Sequence, residues 1–462
     1  MTQNTTVPTE LGTEKISTLL KRYALPSIIA MTASSLYNMA DSIFIGRGVG
    51  PLAISGLAVT FPLMNLQVAF GTLVGVGAAT TISVLLGQRN YDGANKVLGN
   101  MISLNVILGT IFAATSLLFI DPILYFFGAS PNTLPYAKDY ISIILYGNII
   151  THLYFSLNGA MRSSGSPDKA MKMTIFTVVL NIILDPIFIF VFDMGIKGAA
   201  IATVLGQFVA MVMEFAHFSG KNKTFKVSRK SLRVNGRIAK DTLTIGFGPF
   251  LMHSAACIVA LFINIQMRKY IGDLGIGAYG IANMMTFMFV MICMGLNQGM
   301  QPIAGYNYGA KLYSRVKEVF RQTALIATGV SAVCFIVSFF FPREAASLFT
   351  KDQELLEMAA SGLRIMNVAF IVVGFQMIAT NLFQSLGMID KSILLSISRQ
   401  MLFLLPALYF IPMIFGADGV WMSFPVSDLM AFILTIILIA RLYSKLNKLK
   451  DGDDPSSLGS KL

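Results

Sequence analysis

Asp41 and Asp185 sit in stretches otherwise too apolar to keep a charge: Asp41 lies near the end of Ser27 to Ile45, and Asp185 lies inside Met173 to Phe192. A carboxylate in hydrocarbon costs about 2.5–3.5 kcal/mol on insertion scales, so such an acid is by default a functional-site hypothesis. Ser34, Tyr37 and Asp41 fall at i, i+3 and i+7 and share one helical face. Asn181 and Asp185, four apart, share another. Pro186 lacks an N–H and disturbs the carbonyl of Ile182, four residues back. A freed carbonyl beside a carboxylate and an amide makes an oxygen cluster for a small hard cation. Asn158 and Thr203 could complete it if the helices close into a bundle. The candidate metal set, with Na+ in mind, is Asp41, Asn181, Asp185 and Thr203. The same oxygens could instead load a proton from an acidic exterior and release it inside. One pH unit of gradient then supplies about 1.4 kcal/mol per proton, and 100 mV adds about 2.3 kcal/mol per charge. The plainer alternative is that both acids only hydrogen-bond neighbouring helices.

Weaker candidates lie elsewhere. Asp428, about nine residues into the last apolar run, could balance a cationic ligand, face a water-filled vestibule or cap a broken helix. His253 lies midway along the seventh run and reads more readily as a structural histidine. Glu214 and His217, near the end of the sixth, read as interfacial. The run Met284-Met285-Thr286-Phe287-Met288-Phe289-Val290-Met291 is polarizable and adaptable. Most of it is packing, with Met288 and Met291 as candidates for one face of a ligand path. The three histidines (His152, His217, His253) are scattered, and neither a His-Glu-x-x-His helix nor a phosphate-cradling Gly-rich loop is present. The chain is therefore read as no enzyme, without cofactor, drawing energy from an H+ or Na+ gradient.

The elements that position these residues follow from composition. Of 462 residues 55% are hydrophobic and 13% charged, against about 25% charged in soluble domains, and mean hydropathy is +0.69. At roughly 20 residues per crossing of a core about 30 Å thick, twelve spans are expected: 26–45, 54–86, 98–120, 138–160, 170–192, 198–219, 242–269, 276–304, 319–341, 358–385, 393–414 and 419–441. The net charge of +12 sets topology and does not point to nucleic acid. With the N-terminus cytoplasmic, only Arg47, Lys138, Lys197, Arg268, Lys269, Arg343, Lys351 and Arg364 among the 35 Lys and Arg lie on or near the outer side, the positive-inside pattern. Both termini are then cytoplasmic. Cys257, Cys293 and Cys334 lie in apolar segments without paired ligand spacing, so neither disulfides nor zinc are indicated. Met1 to Leu11 lacks a signal-peptide pattern, and the first span is expected to stay in the mature protein.

The halves repeat. An offset of 222 residues sets Arg162-Ser163-Ser164-Gly165-Ser166-Pro167-Asp168-Lys169 against Gln384-Ser385-Leu386-Gly387-Met388-Ile389-Asp390-Lys391. Nearby offsets match Pro186 to Pro406, Gly195 and Gly198 to Gly416 and Gly419, and Gly87 to Gly305. Matched pairs are six spans apart, so the repeats are parallel. The expectation is an all-α integral membrane protein: twelve transmembrane helices in two six-helix bundles related by a pseudo-two-fold axis along the membrane normal. Its parts are an N-terminal lobe at 1–219, a basic linker at 220–241 with eight Lys or Arg, a C-terminal lobe at 242–441 and a tail at 442–462. Transporters built from such repeats alternate access by rocking one half against the other.

The segment Tyr37-Asn38-Met39-Ala40-Asp41-Ser42-Ile43-Phe44-Ile45-Gly46-Arg47, with Ala53 to Gly56, Gly87-Gln88 and Arg162 to Lys169, resembles the multidrug and toxic compound extrusion (MATE) family, most closely its DinF-like and MepA-like branch. The resemblance implies export of bulky organic cations in exchange for H+ or Na+, with no nucleic-acid partner, by a monomer in the cell (inner) membrane. It implies a coupling site at Tyr37, Asp41, Asn158, Asn181, Asp185 and Thr203, and a bend of the first span on ion binding. The acidic residues of the NorM-like branch are absent from the seventh and tenth spans, which offer His253, Asn367, Gln376 and Asn381. A flippase for lipid-linked sugars shares the architecture but needs deep cationic residues for a pyrophosphate, and Arg399 is the best case. A membrane-embedded enzyme or receptor is the remaining alternative, without a nucleophile-base pair or a sensor domain to support it.

Overall fold

The computed structural model describes residues 10–49, 51–219, 226–227, 230–349 and 353–454, and among them every regular element is a helix. The first half carries α1 (Glu10–Thr13), α2 (Ile16–Gly48), α3 (Pro51–Gly87), α4 (Tyr91–Leu118), α5 (Ile120–Phe126), α6 (Leu134–Tyr146), α7 (Asn148–Ser163), α8 (Pro167–Pro186) and α9 (Gly195–Phe218). The second carries α10 (Gly236–Tyr270), α11 (Asp273–Gly309), α12 (Tyr313–Phe340), α13 (Pro342–Ser347), α14 (Gln353–Met366), α15 (Val373–Ser385), α16 (Ile389–Ile397) and α17 (Leu405–Leu446). Helices dominate because a chain in hydrocarbon must satisfy its backbone internally. Buried hydroxyls follow the same rule: Thr81 donates to the Gly77 carbonyl at 2.9 Å, and Thr323 to that of Val319 at 2.7 Å.

Eight of these stretches are long and apolar enough to cross a membrane. Two bent pairs, α6 with α7 (55°) and α14 with α15 (53°), counted as one broken span each, bring the total to ten. The stretch Ile389–Leu446 has 58 residues. At 1.5 Å per residue it is nearly three times longer than a hydrocarbon core of about 30 Å. It turns sharply at Gly416, where φ is 57°, so it supplies two crossings. With the 33-residue α2 the count is the expected twelve. Large side chains such as Leu118, Phe126, Leu325 and Ile414 point outward, an apolar surface suited to lipid and not to water.

The 222-residue repeat governs the helix boundaries. Gly48 and Tyr270 end α2 and α10, Pro51 and Asp273 begin α3 and α11, Tyr91 and Tyr313 begin α4 and α12, and Ser163 and Ser385 end α7 and α15. Left-handed backbone recurs at the same spacing, at Arg89 and Lys311 (φ 58° and 59°) and at Gly165 and Gly387 (90° and 66°). One expected correspondence is corrected: Gly87 ends α3 and its counterpart ending α11 is Gly309, not Gly305.

The chain forms two compact units. The first comprises Met1–Thr13 with Ile29–His253, the second Glu14–Ile28 with Ser254–Leu462. In the first, Ile45, Leu57, Tyr140, Ile141, Leu145 and Ile196 belong to one apolar core. In the second, Met267, Leu356, Leu363, Leu408 and Trp421 belong to another. Glycine lets backbones meet inside each. A Cβ on Gly77 would stand 2.0 Å from the Thr242 carbonyl oxygen, and one on Gly246 1.8 Å from that of Leu73. In the second unit a Cβ on Gly299 would lie 2.4 Å from the Cα of Ala24.

Candidate functional site

Three helices of the first unit carry largely buried polar stripes at helical spacing. On α8 the stripe is Thr174, Thr177, Asn181 and Asp185; on α9 it is Thr203, Gln207 and Glu214; on α7 it is Thr151, Tyr154, Asn158 and Arg162. Each set keeps to one face, in steps of three or four residues or, from Gln207 to Glu214, of seven, and the three helices pack against one another.

At one end stands the acidic pair. Asp41 on α2 is 5% exposed and Asp185 on α8 is fully buried, and the Asp41 charge acts on Asp185. The Tyr140 hydroxyl donates to Asp41. Asn181 flanks Asp185 and donates its amide to the Thr203 hydroxyl at 3.3 Å. What distinguishes this pocket is its surplus of acceptors. Among the described residues, Oδ1 of Asp41, both carboxylate oxygens of Asp185 and Oδ1 of Asn181 are buried without a hydrogen-bond partner. An unpaired buried polar group costs about 1–3 kcal/mol, so four together mark a costly, acceptor-rich site. The helix is also interrupted where expected: α8 ends at Pro186 and continues as a π-helical turn, Ile187–Val191, a feature frequent at functional sites.

The structure therefore brings together Asp41, Asn181, Asp185 and Thr203. The backbone of Tyr37 lies in α2, but its side chain falls outside the described residues. Asn158 is a correction, because its groups are committed elsewhere. Its amide donates to Glu214 Oε1 at 2.8 Å and to the Ala170 carbonyl at 3.0 Å, and its oxygen accepts from the Arg162 guanidinium. The bonds of Asn158 therefore run to Glu214, Ala170 and Arg162 and not to Asp185. Glu214 is a second correction: it is fully buried rather than interfacial, and its Oε2 has no hydrogen-bond partner. The sequence signal was its place eleven residues after Thr203, three turns along the same face.

The remaining candidates separate. Asp428 on α17 is buried in the second unit and accepts from Arg399 Nε at 2.6 Å, so it already holds a counter-charge. The same bond engages the cation that a pyrophosphate would need. His253 is half-buried at the end of the first unit's chain segment. Met288 is exposed and Met291 half-buried, whereas Met285 and Met300 are core. Among the described residues no group of three or more His, Cys, Asp or Glu could hold a metal ion. Any bound cation would rest on the two aspartates with the amide and hydroxyl oxygens of Asn181 and Thr203.

Known proteins are similar to this chain over most of its length. The MatE family model matches residues 26–187 and 249–410, one segment in each half. The multidrug export protein MepA of Staphylococcus aureus (strain MSSA476) is 28% identical over 427 residues, 92% of this chain and 94% of MepA. The outward-facing conformation of a multidrug resistance MATE family transporter of the MOP superfamily superimposes with a TM-score of 0.90 at 26% identity, over 97% of this chain and 100% of that one. A crystal structure of MATE in complex with MaL6 gives 0.89 at 25% identity, over 97% and 100%. With both halves matched, in order and on a common helical frame, the chain belongs to the MatE family of membrane transporters.

Proposed function

We propose that this protein is a secondary active multidrug exporter of the MepA-like branch, expelling bulky organic cations from the cell by antiport with H+ or Na+. It would reside in the cell membrane with both termini cytoplasmic and work by alternating access of its two six-helix lobes. Support for the substrate class comes from MepA, a multidrug export protein by name and 28% identical to this chain. One structural observation supports the coupling: the unpaired oxygens of Asp41, Asp185 and Asn181 in a buried pocket. Asp41 and Asp185 would take the ion, with Asn181 and Thr203 completing the oxygen set and Tyr37 on the same face of α2. A buried acidic pair is costly unless an ion or proton neutralises it, so loading one would release energy for the outward step.

The test is dye efflux from proteoliposomes under separately imposed proton and sodium gradients, comparing the parent with Asp41→Asn. Efflux driven by at least one gradient in the parent and lost in the variant is expected. Undiminished gradient-driven efflux in Asp41→Asn would remove the pocket from its coupling role.

A further inference from the structure

The acidic pocket does not stand alone: a largely buried seam of polar side chains leaves it along α7, α8 and α9 and ends at a third acid. From Asp185 the α8 stripe runs through Asn181, Thr177 and Thr174; from Thr203 the α9 stripe runs through Gln207 to Glu214. Each covers eleven residues, about 16 Å of helix rise, or about half the hydrocarbon thickness. Cross-links join the stripes. Thr151 donates to Gln207 at 2.6 Å. The Tyr154 hydroxyl bonds Thr174 and Thr177. Asn158 ties α7 to both α8, through Thr174 at 3.4 Å, and α9, through Glu214.

Glu214 is placed to be more than a fastening. It is fully buried, held through Oε1 by Asn158, and its Oε2 is unpartnered. A purely structural carboxylate in this setting would use both oxygens, since an unmet one is expensive. The titratable groups acting on it are Arg162 and Tyr154, both from α7, while α8 presents the Thr174 hydroxyl through Asn158. Arg162 reaches the carboxylate by way of Asn158, so the two side chains fix Oε1 and leave Oε2 open. On the positive-inside topology this end of the seam is cytoplasmic, four residues before α9 ends.

The geometry points to Glu214 as the inner station of a proton path: a carboxylate that accepts the proton leaving the Asp41–Asp185 pocket and hands it to cytoplasmic water. Water entering the seam carries the intermediate hops. The proton moves from an aspartic acid O–H to water, on to the Glu214 carboxylate, and then to water at the cytoplasmic end, with no net change in any side chain after one cycle. Arg162 and Asn158 are positioning residues that hold the acceptor in place. Chains of Asp, Glu and His inside spans are a recurrent solution to moving protons through lipid. This inference rests on the coupling reading above and adds to it the route and its acceptor.

The experiment uses full-length protein in proteoliposomes, with parent, Asp41→Asn, Glu214→Gln, Glu214→Asp and Tyr154→Phe compared. Three quantities are read: equilibrium dye binding, dye-for-dye exchange without a gradient, and efflux driven by a pH gradient across a pH series. Glu214→Gln is expected to keep binding and exchange but slow gradient-driven efflux by about 100-fold, the low end of what a placed proton-transfer group contributes. Its pH profile should flatten, and Glu214→Asp should recover part of the rate. Tyr154→Phe, which removes the hydroxyl between Thr174 and Thr177, should slow the same step with binding intact, and it decides the matter if Glu214→Gln does not fold. Parental driven efflux and pH profile in Glu214→Gln, or in Tyr154→Phe where the former is unfolded, overturn the relay. So does equal loss of binding, exchange and driven efflux, the mark of a structural role. A parent driven by sodium alone overturns it too, leaving the cation pocket standing. Asp41→Asn separates the two readings: if that variant is uncoupled while Glu214→Gln is parental, only the relay fails, and if both are parental the coupling pocket itself fails.

Discussion

Asp451 reaches back across 137 residues to Ser314, accepting from its backbone N–H at 2.9 Å and from its hydroxyl at 2.5 Å. Ser314 is the second residue of α12, so Asp451 fills the role of a helix cap from a distance. The repeat explains the need. The matching helix α4 is capped by its own Asn90, which accepts from the Gly93 N–H at 2.9 Å, whereas 222 residues on the cap position is Leu312, which has no acceptor. In the first unit the segment after the sixth span is fastened to the third by related bonds: Lys226 N–H to Asn95 at 2.8 Å, Asn235 N–H to Asn100 at 2.7 Å and Ser103 to the Leu232 carbonyl at 2.6 Å. In the second, Lys317 to Asn447 at 3.0 Å and Tyr313 to the Asp453 carbonyl at 2.8 Å do the same.

A pH-dependent tail follows from that cap. Slight burial raises the Asp451 carboxyl, but the Ser314 hydroxyl and N–H, the Tyr313 N–H and the Lys317 charge outweigh it and hold it below its usual 3.8. A carboxyl lowered in the folded state stabilises at pH above 3.8, and that contribution fades as pH falls through its folded value. Asp451→Ala should therefore loosen the tail at neutral pH, at a cost of about 0.5–2 kcal/mol typical of a lost cap. Hydrogen exchange at the start of α12 should show the difference at pH 7, and the gap should narrow below pH 3.8. A gap independent of pH would contradict the assignment.

Glycine contacts give a second, directional prediction. Gly77→Ala and Gly246→Ala push a methyl into the carbonyls of Thr242 and Leu73, neither of which is the free end of a side chain. Each should lower stability by about 1–3 kcal/mol, the usual cost of overpacking. Gly280 and Gly329 lie inside α11 and α12 with nothing within 4 Å of an added Cβ. Their alanine variants should instead stabilise, by about 0.5–1 kcal/mol, through reduced backbone freedom in the unfolded chain. Thermal unfolding in detergent checks both signs together.

The Arg399–Asp428 pair should behave asymmetrically. Asp428 is 4% exposed and Arg399 31% at the side chain, so removing the arginine strands a buried anion while removing the aspartate frees a cation that can reach polar surroundings. Arg399→Gln should cost more than Asp428→Asn, approaching about 3–5 kcal/mol for a broken buried pair but reduced by the arginine's exposure. The double variant should recover much of the loss. Equal costs, or strict additivity in the double-mutant cycle, would show that the pair is not coupled.

These cases mark what could be read from residues alone. The acidic pocket was legible because Asn181 and Asp185 share a helix face and an acid in an apolar run stands out on cost. The repeat was legible at Gly165 and Gly387, where an Asp-Lys follows at fixed spacing. It slipped by four residues at Gly87 because both Gly305 and Gly309 end a similar run, and only helix boundaries choose between them. Asn158 was misplaced and Glu214 undervalued because partner choice between helices depends on which stripe meets which. Spacing along one helix does not contain that information. Asp428 found its partner 29 residues away across the break at Gly416, beyond any periodicity.

The acidic pocket should trade stability for function, and Asp185→Asn exposes the trade. Both oxygens of Asp185 are buried and unpaired, beside the unpaired Oδ1 of Asn181 and of Asp41. An asparagine there is isosteric, carries no charge to repel Asp41, and brings two N–H donors into a pocket whose shortage is donors. Satisfying one such acceptor should raise stability by about 1–3 kcal/mol. Removing the ionisable group should at the same time abolish gradient-driven efflux, because nothing at that position can then load and release an ion. Melting temperature in detergent and driven dye efflux in proteoliposomes should thus move in opposite directions. A variant that is both less stable and inactive would mean Asp185 is held by bonds that fasten the fold, and the pocket would lose its character as a receptor for a passing charge.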